Sequence, residues 1–203
     1  HMSKGQLLNI FKGSIFKTKV KDERAKKYFL DLLDSEKHSP NSSMHLSNIG
    51  GFQTRPFSYI ADDDINRKVF IDPCFEYFDN FNRRKSVNNW GIRMSSYWLN
   101  QNSMSDWNIM HNHLPNNFSG IWYLKAPKDC GKVVFQNGDM LMLNDTNYDY
   151  FDDPHFYCRF FMNVEDNDLL LFPSHMLHFV EPSRTNEDRI SLAFNLKIEP
   201  TQE

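Results

Sequence analysis

From residue 88 onward the chain is a succession of short apolar runs separated by turn residues, and this pattern narrows the range of folds more than any other. Short runs rich in β-branched and aromatic side chains are typical of strands. We predict seven strands, at Ile92–Leu99, Asn108–His113, Phe118–Lys125, Lys132–Gln136, Asp168–Pro173, His178–Glu181 and Arg189–Ile198. Strands that follow one another with only turns between them indicate a jelly roll or sandwich, not alternating β-α units.

Helical signals dominate the part of the chain before residue 88. Apolar side chains recur at helical spacing over residues 21–37, which predicts an amphipathic helix there. A second helix is predicted to start at Asp72-Pro73, because a capping residue followed by proline is typical of a first helical turn. Its apolar face would consist of Cys74, Phe75, Phe78 and Phe81. The basic run of residues 83–85 would end the helix in solvent.

Turn signals at residues 39–43 and at Gly50-Gly51 interrupt this first part of the chain. We expect residues 1–203 to form a single, mainly β domain. In that domain, residues 14–87 would be a helix-containing flank packed on a β core of residues 88–200. The stretch 137–160 is irregular and rich in Asp, Tyr and Phe, and a loop of that length is either disordered or functional.

The composition excludes several classes of protein. With 40% hydrophobic and 24% charged residues, the 203-residue chain is neither collagen-like nor wholly disordered. A formal net charge of −3 provides no basic field for nucleic acid or a membrane surface, and we expect neither partner. No apolar run reaches the roughly 18 residues of a spanning helix, and no signal-peptide pattern opens the sequence. Three cysteines without metal-motif spacing favour a reducing, cytoplasmic setting.

Three of the eight histidines are spaced as metal ligands could be. His111 and His113 lie two apart in a predicted strand, so both would point to one face, about 6.6 Å apart at roughly 3.3 Å per residue. Two imidazoles so placed can converge on one metal ion. His178, where extended structure resumes after an apolar strand, is the third candidate, and we prefer it to His175.

The last predicted strand alternates strictly between apolar and polar residues. Arg189, Ser191 and Asn195 share its polar face. That face either meets solvent or lines the interior of a barrel. In the second case, the guanidinium fork and the hydroxyl together form a receptor for a carboxylate.

Four motifs in one order carry a resemblance to a known family. They are His111-Asn112-His113, the Ser-Gly-Ile-Trp-Tyr-Leu of residues 119–124, the Leu-Phe-Pro-Ser of residues 171–174 with His178 after it, and Arg189-x-Ser191. This set resembles the 2-oxoglutarate- and Fe(II)-dependent oxygenases, above all the short prolyl-hydroxylase-like proteins of bacteria and their viruses. Residues 47–54 are similar to the Ser-Asn-x-Gly-Gly-Trp-Gln-Ser stretch of that subgroup, so the resemblance covers about residues 14–198.

The resemblance implies a cupin-like double-stranded β-helix, a jelly roll that holds Fe(II) in a facial triad and 2-oxoglutarate as cosubstrate. It implies His111 as the first iron ligand and His178 as the last. It also implies that Arg189, Ser191 and Tyr123 bind the far carboxylate of the cosubstrate. It carries no inference about ascorbate.

The chain departs from this pattern at the middle ligand, where most members have aspartate or glutamate and this chain has His113. Three arrangements are open: His113 ligates the metal, a water or anion takes the position, or a carboxylate arrives from elsewhere. We favour ligation by His113, because the i, i+2 spacing aims it at the same point as His111.

The expected reaction is hydroxylation of a C–H bond in a peptidyl or small-molecule substrate, with release of succinate and CO2. Trp98, Asn100 and Trp107 are the predicted substrate contacts, and the acidic-aromatic stretch 145–153 either closes over the site or lies in solvent. A homodimer is left open. The alternatives are a three-histidine zinc hydrolase or lyase, whose metal has an open fourth position, and a non-catalytic jelly-roll binding module.

Overall fold

The structure, a computed structural model, describes residues 13–39, 43–81, 90–138 and 151–201. Its strands are β1 (Phe16–Lys19), β2 (Asn48–Ile49), β3 (Phe52–Gln53), β4 (Trp90–Asn102), β5 (Trp107–His111), β6 (Phe118–Lys125), β7 (Val133–Gln136), β8 (Arg159–Met162), β9 (Asp168–Pro173), β10 (His178–Val180) and β11 (Arg189–Pro200). Its helices are α1 (Glu23–Lys37), α2 (Asp63–Asn66) and α3 (Asp72–Phe78), with a π turn over Arg67–Ile71 and a 3-10 turn over Pro154–Phe156.

The strands form two antiparallel sheets. The larger has the order β1-β9-β6-β11-β4-β3 and the smaller the order β2-β5-β10-β7-β8. The sheets face each other across an apolar layer, in which the rings of Phe135 and Phe172 lie 5.0 Å apart between centroids. The prediction of a mainly β chain with flanking helices is confirmed.

Strand β11 lies in the middle of the larger sheet, between β6 and β4. Its apolar residues, such as Leu192 and Phe194, pack in the core shared with the helices. Its polar residues Arg189, Ser191 and Asn195 are 3%, 6% and 7% exposed. Of the two interpretations of the polar face, solvent exposure is therefore wrong, and the face points into the space between the sheets.

Helix α1 forms where its apolar spacing predicted it, two residues later than the predicted start. The carboxylate of Asp22 accepts a hydrogen bond from the Ala25 amide at 2.9 Å and caps the first turn. Ala25, Phe29 and Leu33 form the buried face of α1. The Phe29 ring packs edge-on against Trp122 of β6, with centroids 6.1 Å apart, so α1 covers the outer face of the larger sheet.

The predicted second helix is α3, which starts at Asp72 with Pro73 in its first turn, so the predicted start is confirmed. No side chain caps α3, because it continues from an earlier helical segment. The helical segment begins at Asp63, where the Asp62 side chain accepts from the Ile65 amide at 3.0 Å, and continues through the π turn into α3. Proline removes an amide that an α-helix needs, and it commonly marks a first turn. Here the wider π turn precedes Pro73, and the Asp72 amide donates to the Arg67 carbonyl.

The predicted apolar face of that helix is partly wrong. Cys74 is buried and Phe78 half-buried, but Phe75 and Phe81 are each 44% exposed. The packing face is set by the helix that begins at Asp63, and Val69 and Phe70 supply the buried side chains that a start at Asp72 omits. The basic run 83–85 lies outside the described residues.

Several strand predictions need correction. The strands β1, β2, β3 and β8 were not predicted. Strand β4 is longer than predicted at both ends, and β5 ends two residues earlier than predicted. The missed strands have two to four residues, too few for a periodic pattern. Strand β1 is held by charge as well, because Lys17 and Lys19 pair with the buried Asp168 at 3.0 and 2.9 Å.

The turn at Gly50-Gly51 is confirmed, with φ of +71° and +65° at the two glycines. The irregular stretch predicted for residues 137–160 ends earlier, because β8 starts at Arg159. Residues 40–42 of the polar loop and 139–150 of the acidic-aromatic stretch lie outside the described residues. Among the helices that the structure describes, none has both the length and the apolar character needed to cross a membrane.

Candidate functional site

Three imidazoles meet at one end of the space between the two sheets. His111 ends β5 and His178 starts β10, and the two residues are paired across these strands. One ring nitrogen from each of His111, His113 and His178 lies within 4.8 Å of the others. His178 and His113 are 2% and 8% exposed, whereas His111 is half-buried. Three imidazole nitrogens this close together are candidate ligands for one transition-metal ion.

The structure brings His113 to this cluster by a route that the sequence did not predict. Strand β5 ends at His111, so the predicted end of the strand at His113 is wrong, but the two imidazoles do lie side by side, with ring centroids 5.1 Å apart. The His113 amide donates to the Ser174 carbonyl at 2.8 Å, on the turn between β9 and β10. That contact holds the residue beside His178, and the rings of His113 and His178 are 5.0 Å apart between centroids.

Hydrogen bonds determine which nitrogen of each imidazole is available. The Nδ1 atoms of His111 and His178 lie 2.7 and 3.0 Å from the main-chain oxygens of Ile109 and Met176. A carbonyl oxygen can only accept, so each Nδ1 carries the proton and each Nε2 keeps its lone pair. His113 follows the same rule through the Asn195 side-chain oxygen at 2.8 Å, and its buried Nε2 has no partner among the described residues.

Burial keeps the three imidazoles neutral. Loss of hydration, together with the neighbouring His111 and His113, lowers the pKa of His178 to about 3. Burial and the neighbouring His111 lower the pKa of His113 to about 4, although the hydrogen bond with Asn195 acts in the opposite direction, and burial also lowers the pKa of His111. A neutral imidazole is the form that binds metal, so no proton has to leave at neutral pH. The set would add no negative charge to a metal ion.

A buried cation occupies the far part of the same space. Arg189 is 3% exposed, and its guanidinium donates to the main-chain oxygens of Cys130 and Gly131 at 3.2 and 3.4 Å. Both acceptors are neutral, and the guanidinium Nε has no partner among the described residues. A buried charge is costly unless an opposite charge and hydrogen bonds offset it. The surroundings of Arg189 therefore suit an anionic ligand.

Two hydroxyl groups accompany this guanidinium. Ser191 is two residues after Arg189 on β11, and Tyr123 is its register partner on β6. Burial raises the pKa of the Tyr123 hydroxyl, while the positive charge of Arg189 acts in the opposite direction. Both hydroxyls are thus protonated donors at neutral pH, as a carboxylate receptor needs.

One cavity contains the imidazoles and the guanidinium. It is lined by Ser47, Trp98, Asn100, Asn108, His111, His113, Ile121, Tyr123, His178, Val180, Arg189, Ser191 and Ala193. Eight of the nine predicted site residues are in this lining. Trp107 is not in it, and its position on β5 is opposite Ile49 of β2. His175 lies exposed on the turn before β10, away from the imidazole cluster.

Sequence reasoning missed Ser47 and Asn108, whose side chains are joined by a hydrogen bond of 3.2 Å. It placed Asn195 on the correct face of β11 but gave it no role. The alternation of side chains along β11 was the signal available for Asn195, because side chains an even number of residues apart on a strand share a face with Arg189 and Ser191. Ser47 begins the stretch 47–54 that carries part of the family resemblance, whereas Asn108 has no comparable signal in the sequence.

Comparison with known proteins agrees with this geometry. Residues 96–195 match the sequence model of the family described as "Putative 2OG-Fe(II) oxygenase". HygX from Streptomyces hygroscopicus, with nickel and 2-oxoglutarate bound, is a similar solved structure: TM-score 0.58, 12% identity, covering 91% of this chain and 83% of that chain. The viral collagen prolyl hydroxylase vCPH from Paramecium Bursaria Chlorella virus-1 has a TM-score of 0.55 and 11% identity, over 90% of this chain and 94% of that chain.

A third similar structure is SnoN, a non-heme α-ketoglutarate-dependent epimerase from nogalamycin biosynthesis. It has a TM-score of 0.61 and 13% identity, and it covers 94% of this chain and 79% of that chain. At these identities the structural likeness shows the fold alone. None of the curated protein sequences matches the chain.

The two facing sheets are the double-stranded β-helix of the 2-oxoglutarate oxygenases, as predicted. The sequence match over residues 96–195, just under half of the chain, and the fold together indicate a 2-oxoglutarate- and Fe(II)-dependent oxygenase, which is an oxidoreductase. The predicted class of enzyme is therefore confirmed.

Proposed function

We propose that the chain hydroxylates a C–H bond of a peptidyl or small-molecule substrate, using Fe(II) and 2-oxoglutarate. His111, His113 and His178 would hold the metal, and Arg189, Ser191 and Tyr123 would bind the far carboxylate of 2-oxoglutarate. In the balanced reaction, 2-oxoglutarate, O2 and the substrate give succinate, CO2 and the hydroxylated product.

One observation carries the proposal: a single cavity holds three neutral imidazoles and, apart from them, a guanidinium that its neutral partners do not compensate. A dicarboxylate with a keto acid at one end matches both groups at once. The Nε2 atom of His113 and the Nε atom of Arg189 are both buried without a partner among the described residues. The metal would bind the free Nε2 of His113, and the cosubstrate carboxylate would accept a hydrogen bond from the free Nε of Arg189.

The protein's own contribution is binding and orientation. Bound Fe(II) supplies the activation of O2 that organic side chains cannot provide. Arg189 fixes the orientation of the cosubstrate, because its planar guanidinium donates two parallel hydrogen bonds to a carboxylate. The apolar layer of Phe135 and Phe172, which contacts His178, excludes bulk water from one side of the imidazole cluster.

The histidine at the middle position supports a metal centre of unusual charge. Three neutral imidazoles leave a divalent ion with its full charge, whereas a carboxylate ligand would reduce it by one. The keto-acid end of 2-oxoglutarate is anionic, so we expect a tighter electrostatic interaction with this metal than with one that has a carboxylate ligand. We propose ligation by His113 over a water or a distant carboxylate, because its ring lies within the cluster.

Trp98 and Asn100 are the proposed substrate contacts. Trp98 lies beside the metal-binding position, with its ring 5.5 Å from that of His113 between centroids. Asn100 lines the cavity and is 8% exposed, and its buried Oδ1 is an acceptor without a partner among the described residues. Trp107 is dropped from this set because it does not line the cavity.

The test is an anaerobic titration of the metal-free protein with Fe(II), followed by 2-oxoglutarate. The expected result is a weak metal-to-ligand charge-transfer band that appears only with both, and succinate release once O2 is admitted. Zn(II) in place of Fe(II) serves as the second arm. Turnover with zinc, or stoichiometric iron without the band and without succinate, would overturn the proposal in favour of a hydrolase or lyase. Absence of any metal binding would favour a non-catalytic module.

A further inference from the structure

The three candidate ligands are oriented in two different ways. His111 and His178 each hydrogen-bond a main-chain oxygen two residues earlier on their own segment. His113 alone relies on a side chain, the amide oxygen of Asn195, which is 82 residues away in the sequence. A substitution can remove a side chain but not a main-chain oxygen. The hydrogen bond that orients His113 is therefore the only one of these three that a substitution of the partner residue can remove.

Asn195 is itself held on both sides. Its Oδ1 accepts a second hydrogen bond from the Ser119 hydroxyl at 2.9 Å, and its Nδ2 donates to the Ser96 hydroxyl at 3.2 Å. Ser119 in turn lies 2.7 Å from the hydroxyl of Ser174, whose main-chain oxygen accepts the His113 amide. Ser119 and Ser174 are fully buried. His113 is thus held at its main chain and at its ring by one connected polar network.

The direction of the Asn195 amide decides which tautomer His113 adopts. With Oδ1 toward the ring, Nδ1 must carry the proton, and the Nε2 lone pair faces His111 and His178. With Nδ2 toward the ring, Nδ1 would have to accept, and Nε2 would carry a proton and could not bind a metal. A carboxylate ligand has two equivalent oxygens and presents no such choice. An imidazole at this position therefore needs a partner that selects the tautomer.

We propose that Asn195 is the positioning residue that makes His113 a metal ligand, by holding Nδ1–H and directing the Nε2 lone pair into the cluster. The inference rests on the proposed metal site. Partners of this kind typically change metal affinity by 10- to 100-fold when they are removed, because they fix ring orientation and tautomer.

The first test needs no metal. Long-range proton–nitrogen NMR spectra of the metal-free protein report the tautomer of each imidazole. In the wild type, His113 should be protonated at Nδ1. In Asn195→Leu, which has a similar volume but no acceptor, His113 should move toward the Nε2–H form that free imidazole side chains prefer. His111 and His178 keep their main-chain partners, so their unchanged signals show in the same spectrum that the fold is intact.

The second test is calorimetric titration with Co(II), together with the visible spectrum of the cobalt protein. Asn195→Leu should bind Co(II) about 10- to 100-fold more weakly, with an altered d–d spectrum. Asn195→Asp retains an acceptor for Nδ1–H and for the Ser119 hydroxyl, and the Ser96 hydroxyl can rotate to donate to the second carboxylate oxygen, so this variant should restore the tautomer and the affinity. Asn102→Leu is the matched control, since Asn102 on β4 is also buried but does not line the cavity.

The outcomes separate the two proposals. If Asn195→Leu leaves His113 protonated at Nδ1, or binds Co(II) as tightly as the wild type, Asn195 is not the positioning residue. If all three imidazole signals shift, the Asp variant decides: failure to restore them assigns Asn195 a purely structural role and overturns the inference. If the wild type binds no Co(II), the proposed metal site fails, whereas the tautomer measurement still gives its own answer.

Discussion

Replacing Arg189 by methionine separates binding of the cosubstrate from stability of the fold. Methionine has a similar length and fills apolar space, but it has neither the charge nor the hydrogen-bond donors. In the metal-free protein Arg189 makes two rather long hydrogen bonds to neutral oxygens, at 3.2 and 3.4 Å, and its Nε is unpaired. Little favourable interaction is therefore lost from the empty site when the guanidinium is removed.

The bound state loses much more. Removing one partner of a buried charge pair costs about 3–5 kcal/mol, because the other charge is left buried and uncompensated. At roughly 1.4 kcal/mol for each factor of ten, the Kd for 2-oxoglutarate should rise by a factor on the order of 10² to 10³ or more. The free energy of unfolding of the metal-free protein should stay the same or increase, because a desolvated cation is gone.

The assay is an anaerobic titration of the Fe(II) protein with 2-oxoglutarate, followed by absorbance, with urea unfolding of the same variant. 2-Oxobutyrate, which keeps the keto-acid end but lacks the far carboxylate, should bind the wild type and Arg189→Met equally weakly. Arg184→Met, at an exposed position after β10, is the control for a lost surface charge. A normal Kd for 2-oxoglutarate in Arg189→Met, or an equal loss for both keto acids, would refute the assigned contact.

Three further predictions concern the imidazoles and the core. His113 and His178 have folded-state pKa values of about 4 and about 3, below the unfolded value of 6.5, so the metal-free protein should lose stability as pH falls from about 6.5 toward 4. Each contributes about 1.4 kcal/mol per pH unit in that window, and urea midpoints that do not change between pH 7 and 5 would contradict it. His178→Ala should abolish Co(II) binding measured by calorimetry, whereas His175→Ala at the exposed turn should leave it unchanged; equal effects would reverse our choice between the two. Phe29→Ala should lower the free energy of unfolding by about 3–5 kcal/mol and Phe75→Ala by less than about 0.5 kcal/mol, because only the first ring is buried, and similar losses in urea would refute the assigned packing.

The longer elements could be predicted because their signals are local. Strands β6, β9 and β11 and helix α1 each carry a complete apolar period, which a reader of the sequence can see without knowing the partners. The short strands β1, β2, β3 and β8 have no such period, and they exist because a neighbouring strand supplies hydrogen bonds. The start of α3 at Asp72 could be predicted because proline marks a first turn locally, whereas only the tertiary structure shows that α2 and a π turn precede it.

The candidate site likewise has features that the sequence shows and features that only the tertiary structure decides. The types and order of His111, His113, His178 and Arg189 are visible in the sequence, and they were enough to indicate the class of enzyme. Their meeting is a consequence of sheet topology, since β5 pairs with β10 while β11 lies in the opposite sheet. The position of His113 depends on a turn 61 residues further on, through the Ser174 oxygen, and no local pattern encodes such a contact.

The sequence by itself determined that Arg189, Ser191 and Asn195 share one face of a strand, because alternation of side chains is a property of the extended backbone. It could not determine whether that face meets water or the interior. The tertiary structure decided this by covering the opposite, apolar face with helices and placing a second sheet over the polar one. Burial depends on what the rest of the chain contributes, and it is burial that turns an ordinary polar strand face into a pocket with an uncompensated charge and an oriented imidazole.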